Sequence, residues 1–164
     1  LCRMLDGGAD ARYLSRRVVR MAWEDIGLAD PRALQIANDA AATFERLGSP
    51  EGELAIAQAV TYLAVAPKSN AVYMAWKAVQ KRVQETGSLE VPLHLRNAPT
   101  KLMKQQGYGV DYLYPHNYPE HFVLQDYLPP ELRGAKLYER ALNKREVEAE
   151  RLQQRRWQQE QQQQ

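Results

Sequence analysis

Residues 53–66 read ELAIAQAVTYLAVA, and after Glu53 only Gln58 and Thr61 interrupt the apolar run. Ser49-Pro50 is a helix start signal and Pro67 a stop, so the run is predicted to be one helix. A helix that is apolar on nearly every side must be enclosed by other helices or by another subunit. Its alanines (Ala55, Ala57, Ala59, Ala64 and Ala66) let neighbours approach closely. No apolar run in the chain reaches the ~20 residues that a membrane span needs. No signal peptide is visible either. The chain therefore reads as soluble and cytoplasmic.

The neighbouring helices are punctuated clearly. Asp10 can cap a helix running to about Asp25, with Leu14, Val18, Met21 and Ala22 on one stripe and Gly27 as its stop. Asp30-Pro31 starts the next helix, which is predicted to bury Leu34, Ala37, Ala40, Ala41, Phe44 and Leu47 before Gly48. After residues 53–66, Ser69 or Asn70 caps a fourth helix to about Thr86, with Val72, Ala75, Trp76, Val79 and Val83 inward. Short connections between long helices imply antiparallel neighbours.

The character changes at Ser88. Six prolines up to Pro130 break regular structure, and only Pro99 to about Gln106 fits a short helix. Tyr108, Tyr112, Tyr114, Tyr118, Phe122 and Tyr127 are dense for a loop. The segment is expected to wrap the bundle and hold on through those rings. Helix resumes near Glu131. Three regions are expected: residues 1–8, read as the end of a helix that begins before the sequence; residues 9–143, a helical oligomerisation domain; and residues 144–164, a polar Gln-rich tail expected to be partly disordered.

Chemistry is scarce. The charge is nearly balanced, 22 basic against 20 acidic residues, which does not by itself suggest nucleic acid. Cys2 is the single cysteine, so no intramolecular disulfide forms. No G-x-x-x-x-G-K-[ST] loop cradles phosphate, and no G-x-S-x-G or H-E-x-x-H pattern occurs. His94, His116 and His121 are the only histidines and lack a ligand cluster, so no metal or other cofactor is expected. Glu24 and Asp25 are adjacent on a helix, do not face each other, and suit salt bridging or capping. No catalytic residue is assigned.

Two basic features remain as candidate DNA or partner contacts. Arg12, Arg16 and Arg20 recur at every fourth position, with Arg17 beside them. Pairing with Glu24, Asp25 or a neighbouring subunit is the competing expectation. The second feature is VPLHLRNAPTKLMKQQGYG (Val91 to Gly109), which has no acidic residue and carries His94, Arg96, Lys101 and Lys104. Leu93, Leu95, Leu102 and Met103 are expected to pin that stretch to the bundle. On these grounds the chain is a non-catalytic helical interaction module.

Several long motifs resemble one family in order. They are EDIGLADP (Glu24 to Pro31), PEGELAIAQAVTYLAVAPKSNAVY (Pro50 to Tyr73), the Val91 to Gly109 stretch, YLYPHNYPEHFV (Tyr112 to Val123) and YLP (Tyr127 to Pro129). They resemble the C-terminal region of the replication-associated recombination protein A family (RarA or MgsA), AAA+ ATPases related to the Werner-helicase-interacting ATPase. The resemblance covers roughly Leu1 to Tyr138. It implies an all-α domain similar to the clamp-loader collar that holds subunits together, as a homotetramer in bacterial members. It implies that ATP and Mg bind elsewhere in the full protein, a DNA-dependent ATPase associated with the nucleoid, stalled replication forks, single-stranded-DNA-binding protein and DNA ends. The alternative it leaves is a DNA- or protein-binding module using the basic stripe and residues 91–109.

Overall fold

The computed structural model describes residues 1–163. It is all-α, with no strand among the described residues. Helices α1 (Cys2–Asp6), α2 (Ala11–Met21), α3 (Arg32–Leu47), α4 (Glu51–Val65) and α5 (Ala71–Thr86) come first. Helices α6 (Lys101–Gln105) and α7 (Lys144–Gln163) follow, separated by short single-turn helices. The chain forms two compact units: Leu1–Lys77 with Tyr138–Glu150, and Ala78–Leu137 with the chain from Arg151 on.

In the first unit the apolar spacing sets the core. Asp10 caps α2 by accepting from the Arg12 N–H at 2.8 Å. The helical run continues past Met21 through a wider π-turn, Ala22–Ile26, before Gly27 stops it. That turn lets Ala22 and Ile26 both reach the core, each 1% exposed. It also frees the Asp25 carbonyl to accept from the Ser69 N–H at 2.8 Å.

Helix α3 buries Ala33, Ala37, Ala40 and Phe44, and α4 buries Gly52, Ile56, Ala59 and Leu63. Both stripes step by four, three and four residues, the signature of one helical face. Small residues on both sides let the axes come close. A Cβ added at Gly52 would lie 2.8 Å from the Phe44 Cα. The α3 stripe therefore differs from the expected one: Ala33 enters the core, Leu34 and Ala41 are half-buried, and Leu47 faces solvent.

Two elements depart further from expectation. Of α5 only Ala71 is buried, whereas Val72, Trp76 and Val83 are exposed and Ala75 and Val79 half-buried. For Val72 and Trp76 the physical reason is that α2, the π-turn, α3 and α4 already close the core of the first unit. Residues 131–143 are irregular apart from one turn, Pro130–Leu132, and helix resumes at Lys144. There Asn143 Oδ1 accepts from the Glu146 N–H at 3.0 Å and caps the new helix. The polar tail, expected to be partly disordered over residues 144–164, is helical from Lys144 through Gln163; Gln164 lies outside the described residues.

The second unit is held mainly by polar contacts. Val123 is its buried apolar side chain. Tyr112, Tyr114 and Tyr127 are exposed, and Tyr108, Tyr118 and Phe122 half-buried, so ring burial does not organise this unit as expected. Gln125 does more: its Nε2 donates to the Leu113 carbonyl at 2.7 Å and its Oε1 accepts from the Leu113 N–H at 3.2 Å.

Candidate functional site

The outer face of α4 is an exposed, largely apolar surface of the first unit. Leu54, Gln58, Thr61 and Val65 recur at helical spacing and share that face. Leu54 is 76% and Val65 81% exposed. The enclosure expected for residues 53–66 is thus met by this chain on one side only. The exposed Val72 and Trp76, one turn apart, form a second uncovered apolar patch of the first unit, at the start of α5.

The flank of the α4 face is fixed chemically. The Tyr62 hydroxyl donates to Asp30 Oδ2 at 2.5 Å, and Arg32 Nε donates to Asp30 Oδ1 at 3.1 Å. Burial pushes the Asp30 carboxyl up, but these two partners outweigh it and hold the group below its ordinary range. Just past the helix end, Lys68 Nζ donates to the carbonyls of Leu63 (2.8 Å) and Ala66 (2.5 Å). A cation is thereby held at the C-terminal end of α4, where the helix dipole favours it.

The basic stripe on α2 lies at the surface. Arg12 pairs with Glu45 at 3.3 Å and Arg20 with Glu24 at 2.9 Å. Arg16 and Arg17 are exposed and form no ion pair among the described residues. Glu24 takes the salt-bridging role, and Asp25 contributes its backbone carbonyl.

The 91–109 stretch divides into framework and surface. Arg96 Nη2 donates to Glu90 Oε2 at 2.7 Å, its Nε to the Val91 carbonyl at 2.6 Å, and its Nη1 to the Tyr108 hydroxyl at 3.3 Å. The guanidinium also lies over the Tyr108 ring. Its hydrogen bond and charge hold the Glu90 carboxyl below its usual range. His94 Nε2–H donates to the Asp126 carbonyl at 2.7 Å. Lys101 and Lys104 are exposed. Leu102 is 63% exposed and Leu93 is also exposed, while Leu95 and Met103 are half-buried.

His116 lies between Tyr114 and His121 in a tilted aromatic stack, with ring centroids 5.0 and 4.9 Å apart. No group of three or more metal-ligating side chains occurs among the described residues, and no described helix is long and apolar enough to cross a membrane.

A family model described as the C terminal of the MgsA AAA+ ATPase matches residues 1–157. The chain belongs to that family. It is 64% identical over 139 residues to a replication-associated recombination protein A of Coxiella burnetii, and 50% identical over 137 residues to that of Escherichia coli. These alignments cover 84% and 83% of this chain, but only 32% and 31% of the relatives. A Dictyostelium discoideum protein named ATPase WRNIP1 is 44% identical over 138 residues, 84% of this chain and 16% of the relative. The chain thus spans less than a third of each of these relatives. Family membership was legible in the ordered motifs, but the unpartnered α4 and α5 faces were not. Periodicity reports that a face is apolar, not what covers it.

Proposed function

We propose that this chain is the self-association domain of an AAA+ ATPase acting in replication-associated recombination. The observation that carries the reading is the uncovered apolar face of α4. Covering Leu54 and Val65 would contribute up to about 2 kcal/mol each. With the exposed Val72 and Trp76 at the start of α5 the first unit has a second face, and two isologous contacts build a homotetramer with closed symmetry. The domain itself performs no chemistry. It fixes how ATPase subunits stand around DNA, while ATP and Mg bind elsewhere in the whole protein. The reading implies a cytoplasmic, nucleoid-associated protein that meets single-stranded-DNA-binding protein and DNA ends through its full length.

Sedimentation equilibrium of this chain tests the reading. The expected mass is a multiple of 18.8 kDa, with the tetramer as the end state. A strict monomer at high micromolar concentration overturns it.

A further inference from the structure

The α4 face carries a pattern that is complementary to itself when reversed. In chain order it reads Leu54, Gln58, Thr61, Val65: apolar, polar, polar, apolar. We propose that α4 packs against α4 of a second copy in antiparallel register, Leu54 of one copy meeting Val65 of the other and Gln58 meeting Thr61. This rests on the self-association reading and gives it a geometry.

Charge selects the antiparallel arrangement. Glu51 and Glu53 lie at the N-terminal end of α4, and Lys68 lies just past its C-terminal end. The two backbone carbonyls that bind Lys68 Nζ hold the cation there. An antiparallel partner brings the acidic end of one copy to the basic end of the other and opposes the helix dipoles. A parallel partner sets like on like at both ends.

The middle of the face fits as well. The Thr61 hydroxyl donates its proton to the Ala57 carbonyl at 2.9 Å, which leaves its lone pairs free to accept. Gln58 is exposed, and its carboxamide has no partner among the described residues. In this register the Gln58 amide of each copy donates to Thr61 of the other, close to the twofold axis. Ala57, beside them, is small enough for close approach of the backbones. Tyr62 on the flank is already held by Asp30, so that edge is rigid before the second copy arrives.

Cysteine pairing tests the register directly. Cys2 is exposed and is first replaced by serine. Leu54→Cys and Val65→Cys chains are then co-expressed and oxidised. Leu54 and Val65 lie roughly 16 Å apart along one helix, whereas a disulfide needs Cα atoms within about 7 Å. The expected result is a mixed disulfide between the two chains and none between identical ones. Disulfides between identical chains alone mean a parallel pair and overturn the register. An oligomer with no disulfide in any combination overturns the α4 contact but leaves self-association standing. A monomer overturns both. As a second measurement, Val65→Asp alters a side chain that is 81% exposed, so the fold survives. It is expected to weaken the α4 contact by more than about tenfold in dissociation constant. An unchanged constant overturns the proposal.

Discussion

The Ser69 hydroxyl donates to Glu146 Oε1 at 2.6 Å, and both residues are buried. The other carboxylate oxygen accepts from the Ala141 N–H at 2.5 Å. Ser69 in turn accepts from the Ala71 N–H at the start of α5. One glutamate in the first turn of α7 therefore fixes the junction between α4 and α5. Glu146→Ala would leave the proton of the buried Ser69 hydroxyl without its acceptor and the half-buried Ala141 N–H without its partner. The expected loss is about 3 kcal/mol, read as a lower urea midpoint with an unchanged slope.

The same carboxylate sets a pH dependence. Burial pushes Glu146 up, but hydrogen bonds from Ser69 and Ala141 outweigh it and hold the group below its ordinary value of 4.5. A lowered folded value stabilises the fold above pH 4.5, and that stabilisation is lost as the pH falls through it. Tyr138 does the opposite. Burial first, then the Glu146 charge, raise its hydroxyl from 10.0 to about 12. Its contribution is full below pH 10 and is lost as the pH climbs toward 12. Unfolding followed across pH is expected to show a shallower acid limb in Glu146→Gln and a shallower alkaline limb in Tyr138→Phe.

Gly27 is required twice over. Its φ is +50°, and an added Cβ would lie 2.8 Å from the Ser69 carbonyl oxygen. That contact is backbone on backbone and cannot relax by a rotamer change. Gly27→Ala is expected to cost about 3 kcal/mol. The loss should appear as a lower melting temperature, accompanied by faster amide exchange at Ser69, whose N–H bonds the Asp25 carbonyl. A variant as stable as the parent would mean that the π-turn does not need this close approach.

Sequence pattern located the helices of the first unit because caps and stops there are local. Asp10, Gly27, Gly48 and Pro67 act within a few residues of where they stand. It misplaced the α5 stripe because burial is decided by what lies opposite, and the core of the first unit closes without Val72 and Trp76. It overrated the tyrosines for a related reason. A ring density suggests burial, yet hydrogen bonds from Arg96, His94 and Gln125 span 12 to 32 positions and leave no local signal. The basic character of residues 91–109 was plain, but the difference between Arg96 and its neighbouring lysines needed the positions of Glu90 and Tyr108.

That difference can be measured. Arg96 ties Glu90, Val91 and Tyr108 together, while Lys101 and Lys104 are exposed on α6. Lysine cannot replace a planar fork that bonds a carboxylate, a carbonyl and a phenol at once. Arg96→Lys is expected to speed amide exchange at Gly109, whose N–H bonds the Leu93 carbonyl, by about tenfold, the equivalent of one lost hydrogen bond. Lys101→Glu and Lys104→Glu should leave that exchange unchanged. If the lysine variants loosened Gly109 as much as Arg96→Lys, Arg96 would not be the framework of this stretch. The same lysine pair carries the remaining question of DNA contact. Fluorescence anisotropy of the double charge reversal, with single-stranded and forked DNA, reads it without disturbing the fold. A lost affinity would assign the α6 surface to DNA, and an unchanged one would leave it to solvent or to another subunit.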